Sequence, residues 1–185
     1  MRTIRVVIFF CLFLIFTHSS VNEKSKIINN LKNIDNIQFK FTQKTNENIE
    51  KGKCILAFPG KLKCDYIDKI EKELIVNKKM MAITQKRYGK TLFYPLSKST
   101  FINILDKNEL IKIITESDTT TNNYFNVIFI NEEKFKTIIR FNKKDFFLAG
   151  WTSIDQYNNK VIFKIDITSI NQMIDNKIFI LPDRN

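Results

Sequence analysis

Few residues of this sequence have side chains suited to catalysis. The single histidine, His18, lies near the N-terminus, in a segment that we expect to be removed on export. The remaining chain would then have no histidine, which excludes Ser-His-Asp and Cys-His nucleophile systems and any metal site that needs histidine. No cluster of carboxylates takes its place. The sequence thus shows no catalytic constellation, and it gives no indication of a metal or a cofactor.

Removal of that segment would also leave two of the three cysteines, Cys54 and Cys64, which lie in or beside the segment ILAFPGKLKCDY. This segment is typical of two strands joined at Pro59-Gly60. Alternate residues of a strand share one face. The residues on that face are Cys54, Leu56 and Phe58 in the first strand and Leu62, Cys64 and Tyr66 in the second. An exported compartment permits a disulfide between the two cysteines, and the alternative is two thiols packed as small apolar groups.

The N-terminal segment has the pattern of a secretory signal peptide. Arg2 and Arg5 precede an apolar run at residues 6–16, which is followed by THSS. Such a run is too short to span a bilayer, which takes about 20 apolar residues. We expect cleavage after Ser19 or Ser20, and an uncleaved anchor is the alternative.

Cleavage would divide the sequence into a signal peptide, residues 1–20, and one mature domain, residues 21–185. The formal net charge would fall from +11 to +9 because the segment contains two arginines and no acid. The lysines are scattered, so the charge fits a general compositional bias. An anionic membrane surface and nucleic acid are the more specific interpretations.

The hydrophobic periodicity predicts a mainly β protein. Residues 22–35 have helical spacing, and a second short helix is expected around Phe101, Ile104 and Leu105, with Ser99 as its N-cap. Residues 116–123 are expected to form an exposed loop. Period-two alternation or short apolar runs predict strands at 37–42, 51–58, 61–67, 73–76, 80–85, 91–94, 110–115, 124–130, 134–141, 146–154, 160–167 and 177–181.

About eleven or twelve strands joined by short turns predict one long up-and-down antiparallel sheet. Such a sheet curls under its own twist and leaves a concave face that two or three short helices cover only partly. Six residues are expected to line that face: Phe39, Phe41, Leu56, Phe58, Leu62 and Tyr66. An apolar concavity in an exported protein indicates an apolar ligand. A closed barrel or a two-sheet sandwich with an ordinary core is the alternative.

The whole mature chain resembles the LolA family of periplasmic carriers of outer-membrane lipoproteins. The resemblance rests on several segments in the same order and at similar spacing. They are FTQKT (41–45), Gly52, FPGKLKCDY (58–66), ELIVNKKMMAI (73–83), FFLAGWTSIDQYNNKVIFKI (146–165) and IFILP (178–182).

The resemblance implies an open half-barrel of about eleven antiparallel strands, with a lid of two or three short helices over an apolar cavity. It implies a monomeric periplasmic chaperone that holds the acyl chains of lipoproteins. Its partners would be an ATP-driven release complex of the ABC type in the inner membrane and a lipoprotein receptor in the outer membrane. Such a carrier has no chemistry of its own and no role with nucleic acid.

The resemblance also implies positions for individual residues. Leu62 and Cys64 would lie on a cavity-facing strand, and Cys64 occupies a position where family members usually have an aromatic residue. It places Leu31 and Ile34 on the inward stripe of the first helix. Phe101 and Leu105 would belong to the central lid helix.

The sequence departs from the family at Phe58, because members often have an arginine there that hydrogen-bonds the lid shut. The lid must then be held by apolar packing or by another group.

Three other functions fit parts of the pattern. The outer-membrane receptor shares the fold but should have an acylated cysteine at the end of its signal. A half-barrel that senses lipoproteins or binds a regulatory protein partner is the second. A secreted basic nucleic-acid-binding protein is the third, supported only by FNKKDFF at 141–147.

Overall fold

A computed structural model of the protein describes residues 18–96, 102–130, 135–154 and 158–183. The described chain forms one sheet of eleven strands, three α-helices and two short 3-10 turns. The strands are β1 Asn36–Thr45, β2 Asn48–Ala57, β3 Lys61–Tyr66, β4 Lys72–Asn77, β5 Met80–Gln85, β6 Lys90–Pro95, β7 Asp118–Thr121, β8 Tyr124–Ile130, β9 Lys136–Asn142, β10 Leu148–Ile154 and β11 Lys160–Ile170. The helices are α1 His18–Lys32, α2 Ile102–Leu105 and α3 Lys107–Glu116, and the 3-10 turns are Lys86–Tyr88 and Asn176–Phe179.

The sheet is antiparallel throughout and open. Its strand order is β6-β5-β4-β3-β2-β1-β11-β10-β9-β8-β7, so β6 and β7 are its two edges. The predicted open half-barrel with a helical lid is confirmed. The expected single up-and-down order is wrong. Strands β1 to β6 form one meander and β7 to β11 form another, and the pairing of β1 with β11 joins the two. The chain leaves the sheet after β6, forms α2 and α3, and returns at the opposite edge as β7.

Strand β1 shows why the sheet has one apolar face. Ile37, Phe39 and Phe41 are buried, whereas Lys40 between them is exposed. The β1 side chains therefore alternate between the inner and outer faces, as the sequence predicts. The β2–β3 turn contains a cis peptide bond before Pro59, and Gly60 has a φ of 67°, a left-handed conformation that glycine adopts without strain.

Helix α3 replaces a predicted strand. The sequence predicts a strand at 110–115, but this segment lies within Lys107–Glu116. The Asp106 carboxylate accepts hydrogen bonds from the backbone N–H groups of Asn108 and Glu109 and so caps the helix. Leu110, Ile113 and Ile114 are buried on one side of the helix. A run of isoleucines fits either element, and the cap together with this spacing selects the helix.

Two further expectations are wrong. The expected loop at 116–123 contains the edge strand β7, which pairs with β8. The expected strand at 177–181 is instead the 3-10 turn Asn176–Phe179, in which the Lys177 N–H donates to the Asp175 carboxylate. Phe179 is fully buried, and its carbonyl accepts a hydrogen bond from the Asn77 side chain. The apolar run at the end of the chain thus anchors one aromatic ring instead of adding a strand.

The core is divided into two apolar clusters. One lies on the inner face of β1 to β4 and includes Ile34, Phe39, Leu56 and Leu105. The other joins α1 and α3 to the inner face of β8 to β10. The second cluster is filled by helix side chains, whereas part of the first faces an open space.

Candidate functional site

The main feature of the inner face is an apolar hollow of about 630 Å³. This volume falls in the range of roughly 300–1,000 Å³ typical of small-molecule sites. Ile104 and Leu105 of α2 cover part of it. The hollow extends to the edge of the sheet, where Tyr94 and Pro95 of β6 line it. Its other lining residues are Phe39, Gln43, Thr45, Asn48, Glu50, Cys54, Leu56, Leu62, Cys64, Tyr66, Leu74, Met81, Ile83, Leu148, Trp151, Ser153, Val161, Phe163 and Ile165.

The strand register arranges the apolar lining residues in rows across the sheet. Leu56 lies opposite Leu62, and Cys54 lies opposite Cys64. Phe39 continues the second row because it lies opposite Cys54 on β1. Side chains directly opposite each other on one face of an antiparallel pair are in contact range. The hollow therefore has a continuous apolar floor.

Cys54 and Cys64 are linked by a disulfide, with an S–S distance of 2.05 Å and a Cα–Cα distance of 4.1 Å. Both residues are buried and line the hollow. The bond joins β2 to β3 in the middle of the apolar floor and adds no polar group to it.

A chain of aromatic rings forms one wall. Trp151 stacks on Phe163 with ring centroids 4.2 Å apart, and Phe163 stacks on Phe41 at 5.0 Å. Phe41 meets Tyr66 edge-on, also at 5.0 Å. Contacts of this kind stabilise a fixed ring arrangement beyond the area they bury. The wall is thus built from four strands and does not depend on the lid.

Tyr66 has an unusual electrostatic environment. Burial raises the pKa of its hydroxyl far above the ordinary value, and the negative charges of Glu50 and Asp68 raise it further. Lys72 donates to the Glu50 carboxylate, and its Nζ lies 3.9 Å from the Tyr66 ring centroid. The Tyr66 hydroxyl therefore stays protonated and can act as a hydrogen-bond donor.

One end of the hollow is polar. Gln43 and Thr45 of β1 and Asn48 and Glu50 of β2 line it next to the β1–β2 turn. Ser153 of β10 lines the same end. The Gln43 amide donates weakly to Thr45 and Glu50, at 3.3 and 3.4 Å. The hollow thus offers a long apolar surface that ends in hydrogen-bonding groups.

The structure brings together six of the predicted lining residues: Phe39, Leu56, Leu62, Cys64, Tyr66 and Leu105. Leu31, Ile34 and Phe58 line a small neighbouring cavity of about 20 Å³, which Leu56 shares. Phe41 supports the wall by stacking on Phe163. Phe101 lies outside the described residues.

The sequence interpretation did not identify the contributions of β5, β10 and β11. Met81 and Ile83 line the hollow from β5, and Trp151, Phe163 and Ile165 line it from the other half of the sheet. Period-two alternation in 160–167 places Phe163 and Ile165 on one face of a strand. Neither these two residues nor Trp151 could be assigned to the hollow from the sequence, because only the β1–β11 pairing brings that half of the sheet beside β1.

The lid is attached at the position where Phe58 replaces the arginine. The Gly60 N–H donates to the Leu105 carbonyl at 2.9 Å, which ties the β2–β3 turn to α2. The Lys107 Nζ lies 5.4 Å from the centroid of the Phe58 ring and 3.7 Å from the Asp35 carboxylate. A backbone hydrogen bond and a cation–π contact therefore hold the lid here.

The described residues contain no group of three or more His, Cys, Asp or Glu side chains arranged to hold a metal ion. Within the same part of the chain, no helix has both the length and the apolar character needed to cross a membrane.

Solved structures with the same fold have very different sequences. An uncharacterized conserved protein from Thermus thermophilus has 7% identity and a TM-score of 0.54, covering 89% of this chain and 95% of its own. The lipoprotein LppX from Mycobacterium tuberculosis has 6% identity and a TM-score of 0.50, with coverages of 86% and 98%. A DUF1329 family protein from Desulfovibrio piger has 6% identity and a TM-score of 0.50, with coverages of 88% and 98%.

Comparison of the sequence with curated proteins gives no match. The family model described as outer membrane lipoprotein carrier protein LolA matches residues 32–181, which include all eleven strands and the lid helices α2 and α3. The chain therefore belongs to the LolA family.

Proposed function

We propose that the protein is a periplasmic carrier that binds the acyl chains of lipoproteins in the hollow and takes them from the inner to the outer membrane. The observation that supports this most is the apolar hollow of about 630 Å³ beneath a lid in an open sheet. Membership of the LolA family supports the same function.

The energetics of an acyl chain explain why a carrier needs such a hollow. Each methylene exposed to water costs about 0.8 kcal/mol, so a chain of about 15 methylenes costs on the order of 12 kcal/mol. A lipoprotein in an aqueous compartment must recover most of this free energy from its carrier. Release at the destination also requires that the carrier does not hold its cargo too tightly.

The proposal assigns residues 1–20 to a signal peptide and residues 21–185 to the mature carrier domain in the periplasm. Its partners are acylated lipoproteins, an inner-membrane release complex of the ABC type and an outer-membrane receptor. The protein acts as a monomer and has no catalytic role.

The test is equilibrium binding of an acylated lipopeptide to the mature protein and to two variants of the hollow. Leu62→Glu places a charge in the apolar floor, and Tyr94→Glu places one at the sheet edge, where folding is less affected. We expect each to weaken binding at least tenfold, because the charge must be desolvated beside the acyl chain.

The matched control is Ile49→Glu, which introduces the same side chain at a position that is 57% exposed. It should bind the lipopeptide as the unmodified protein does. Equal binding by folded Tyr94→Glu and the control, or no binding by the unmodified protein, would contradict the proposal.

A further inference from the structure

The inner face changes from apolar to polar along the direction of the strands. Gln43 lies opposite Glu50 on β2 and Phe163 on β11, and Thr45 lies opposite Asn48 and Val161. These rows follow the apolar rows that begin at Ile37 and Leu56. Gln43 lies six positions after Ile37, which is roughly 20 Å along a strand. A bound molecule of that length would meet both environments.

Ser153 is the key residue of the polar end. It lies opposite Val161 on β11 and is only 3% exposed. Within the described part of the chain its hydroxyl makes no hydrogen bond. Since no fully enclosed polar side-chain atom among the described residues lacks a partner, the Ser153 oxygen is accessible, and Ser153 lines the hollow. A ligand group in the hollow can therefore form a hydrogen bond with this hydroxyl, which adds modestly to affinity.

Tyr66 and Gln43 add further hydrogen-bonding capacity. The Tyr66 hydroxyl is held in its protonated form and, like that of Ser153, makes no hydrogen bond within the described residues. The Gln43 amide nitrogen makes only its two weak contacts, and its carbonyl oxygen is a free acceptor among those residues. The polar end therefore offers both donors and acceptors.

The charges at this end select against an anionic group. Lys72 lies over the Tyr66 ring and is already paired with the Glu50 carboxylate of the polar lining. An incoming carboxylate would lie beside the Glu50 carboxylate, whose charge repels it. An ester, an amide or a hydroxyl would meet no such repulsion.

We propose that the hollow selects amphiphiles with an uncharged, hydrogen-bonding head, such as an acyl glyceride ester or an acyl amide. The head lies at the polar end, between the β1–β2 turn and Ser153. The tail extends past the disulfide toward Leu56, Leu62 and Leu105. This inference rests on the proposed acyl-binding function and adds an orientation and a head-group preference.

Trp151 provides an intrinsic test of the orientation. It is the only tryptophan in the sequence and lies in the row of Gln43 and Glu50, where the polar end begins. The probes are two monoacylglycerols brominated either near the ester or near the terminal methyl group. Both should quench Trp151 fluorescence, and the ester-proximal bromines should quench it at least twice as strongly.

A second test uses the unbrominated monoacylglycerol and the fatty acid of the same chain length. Ser153→Ala should weaken monoacylglycerol binding roughly three- to tenfold and leave fatty-acid binding unchanged, since one neutral hydrogen bond is lost. The matched control is Thr42→Val on β1, which removes a hydroxyl from the opposite face of the sheet and should change neither affinity.

The outcomes separate this inference from the proposed function. If monoacylglycerol binds but methyl-proximal bromines quench more, or if Ser153→Ala and Thr42→Val bind equally, the orientation is wrong and the acyl site remains. If neither probe quenches Trp151 and neither binds, the proposed acyl site itself is wrong.

Discussion

At the scale of single residues, Gly52 shows how the aromatic wall depends on a missing side chain. Gly52 lies opposite Phe41 on β1 and Tyr66 on β3. A β-carbon built at Gly52 would lie 2.3 Å from the Asp65 carbonyl oxygen and 2.5 Å from the Phe41 ring. The absence of a side chain lets the Phe41 ring lie over β2 and stack on Phe163.

Gly52→Ala should therefore destabilise the protein. The added methyl group must displace the Phe41 ring or the backbone of β3, and overpacking of this kind costs about 1–3 kcal/mol. Urea unfolding followed by circular dichroism measures the change. Lys51→Ala, at the exposed neighbouring position, should change the free energy of unfolding by less than about 0.5 kcal/mol. Equal free energies of unfolding for the two variants would show that the structure accommodates a methyl group at position 52 without cost.

The lining of the hollow could be predicted where one hairpin contributes it. Leu56, Leu62 and Cys64 follow from alternation in neighbouring strands, because hairpin partners share a face. Ser153 and Trp151 could not be predicted, because they reach the hollow only through the pairing of β1 with β11. Long-range pairing leaves no local signal in the sequence.

At the scale of elements, strands were easier to predict than the lid. In a half-buried strand, apolar and polar residues alternate with a period of two. This alternation is clear in the sequences of β1, β2 and β11. The segment 110–115 is rich in isoleucine and fits either a short buried strand or a helix. The Asp106 cap resolves this ambiguity, and its effect depends on backbone geometry that apolar periodicity does not reveal.

Asp106→Ala should loosen the lid. Loss of the two hydrogen bonds to the N–H groups of Asn108 and Glu109 should destabilise α3 by about 1 kcal/mol. Backbone amides of α3 should then exchange with solvent several-fold faster, whereas those of β1 and β2 should change little. Lys112→Ala on the exposed side of α3 is the control and should leave exchange unaltered. Unchanged α3 exchange in Asp106→Ala would show that the cap does not hold the helix.

At the scale of the whole molecule, the two faces of the sheet differ in the side chains that they carry. The inner face carries the hollow, and the outer face carries charged pairs. Lys63 and Lys86 contact the Glu73 carboxylate at 2.7 and 3.0 Å. Burial opposes ionisation of Glu73, but hydrogen bonds from the two lysines and their positive charges outweigh it and lower its pKa. These ion pairs therefore link β3, β4 and the 3-10 turn after β5 on the outer face.

The lowered pKa of Glu73 predicts a loss of stability in acid. The unfolded chain binds a proton at Glu73 near the ordinary pKa of 4.5, whereas the folded protein binds it only at lower pH. The stabilisation is therefore present above about pH 4.5 and disappears as the pH falls through the folded value. Glu73→Gln should remove up to about 1 kcal/mol at neutral pH and flatten the acid dependence of the free energy of unfolding.

Glu47→Gln is the control for this pH dependence, since the Glu47 side chain is 98% exposed. It should leave the acid dependence unchanged. If Glu73→Gln and Glu47→Gln show the same curve as the unmodified protein, the ion pairs of Glu73 do not contribute to folding stability.

The central claim is that the hollow carries the acyl part of a lipoprotein through water. The most direct measurement mixes the mature protein with one lipoprotein in two forms, acylated and without its acyl chains, in buffer free of detergent. Size-exclusion chromatography then reports what remains soluble and associated. We predict that only the acylated form elutes as a soluble complex with the protein. Equal association of both forms, or aggregation of the acylated form despite the protein, would contradict the account.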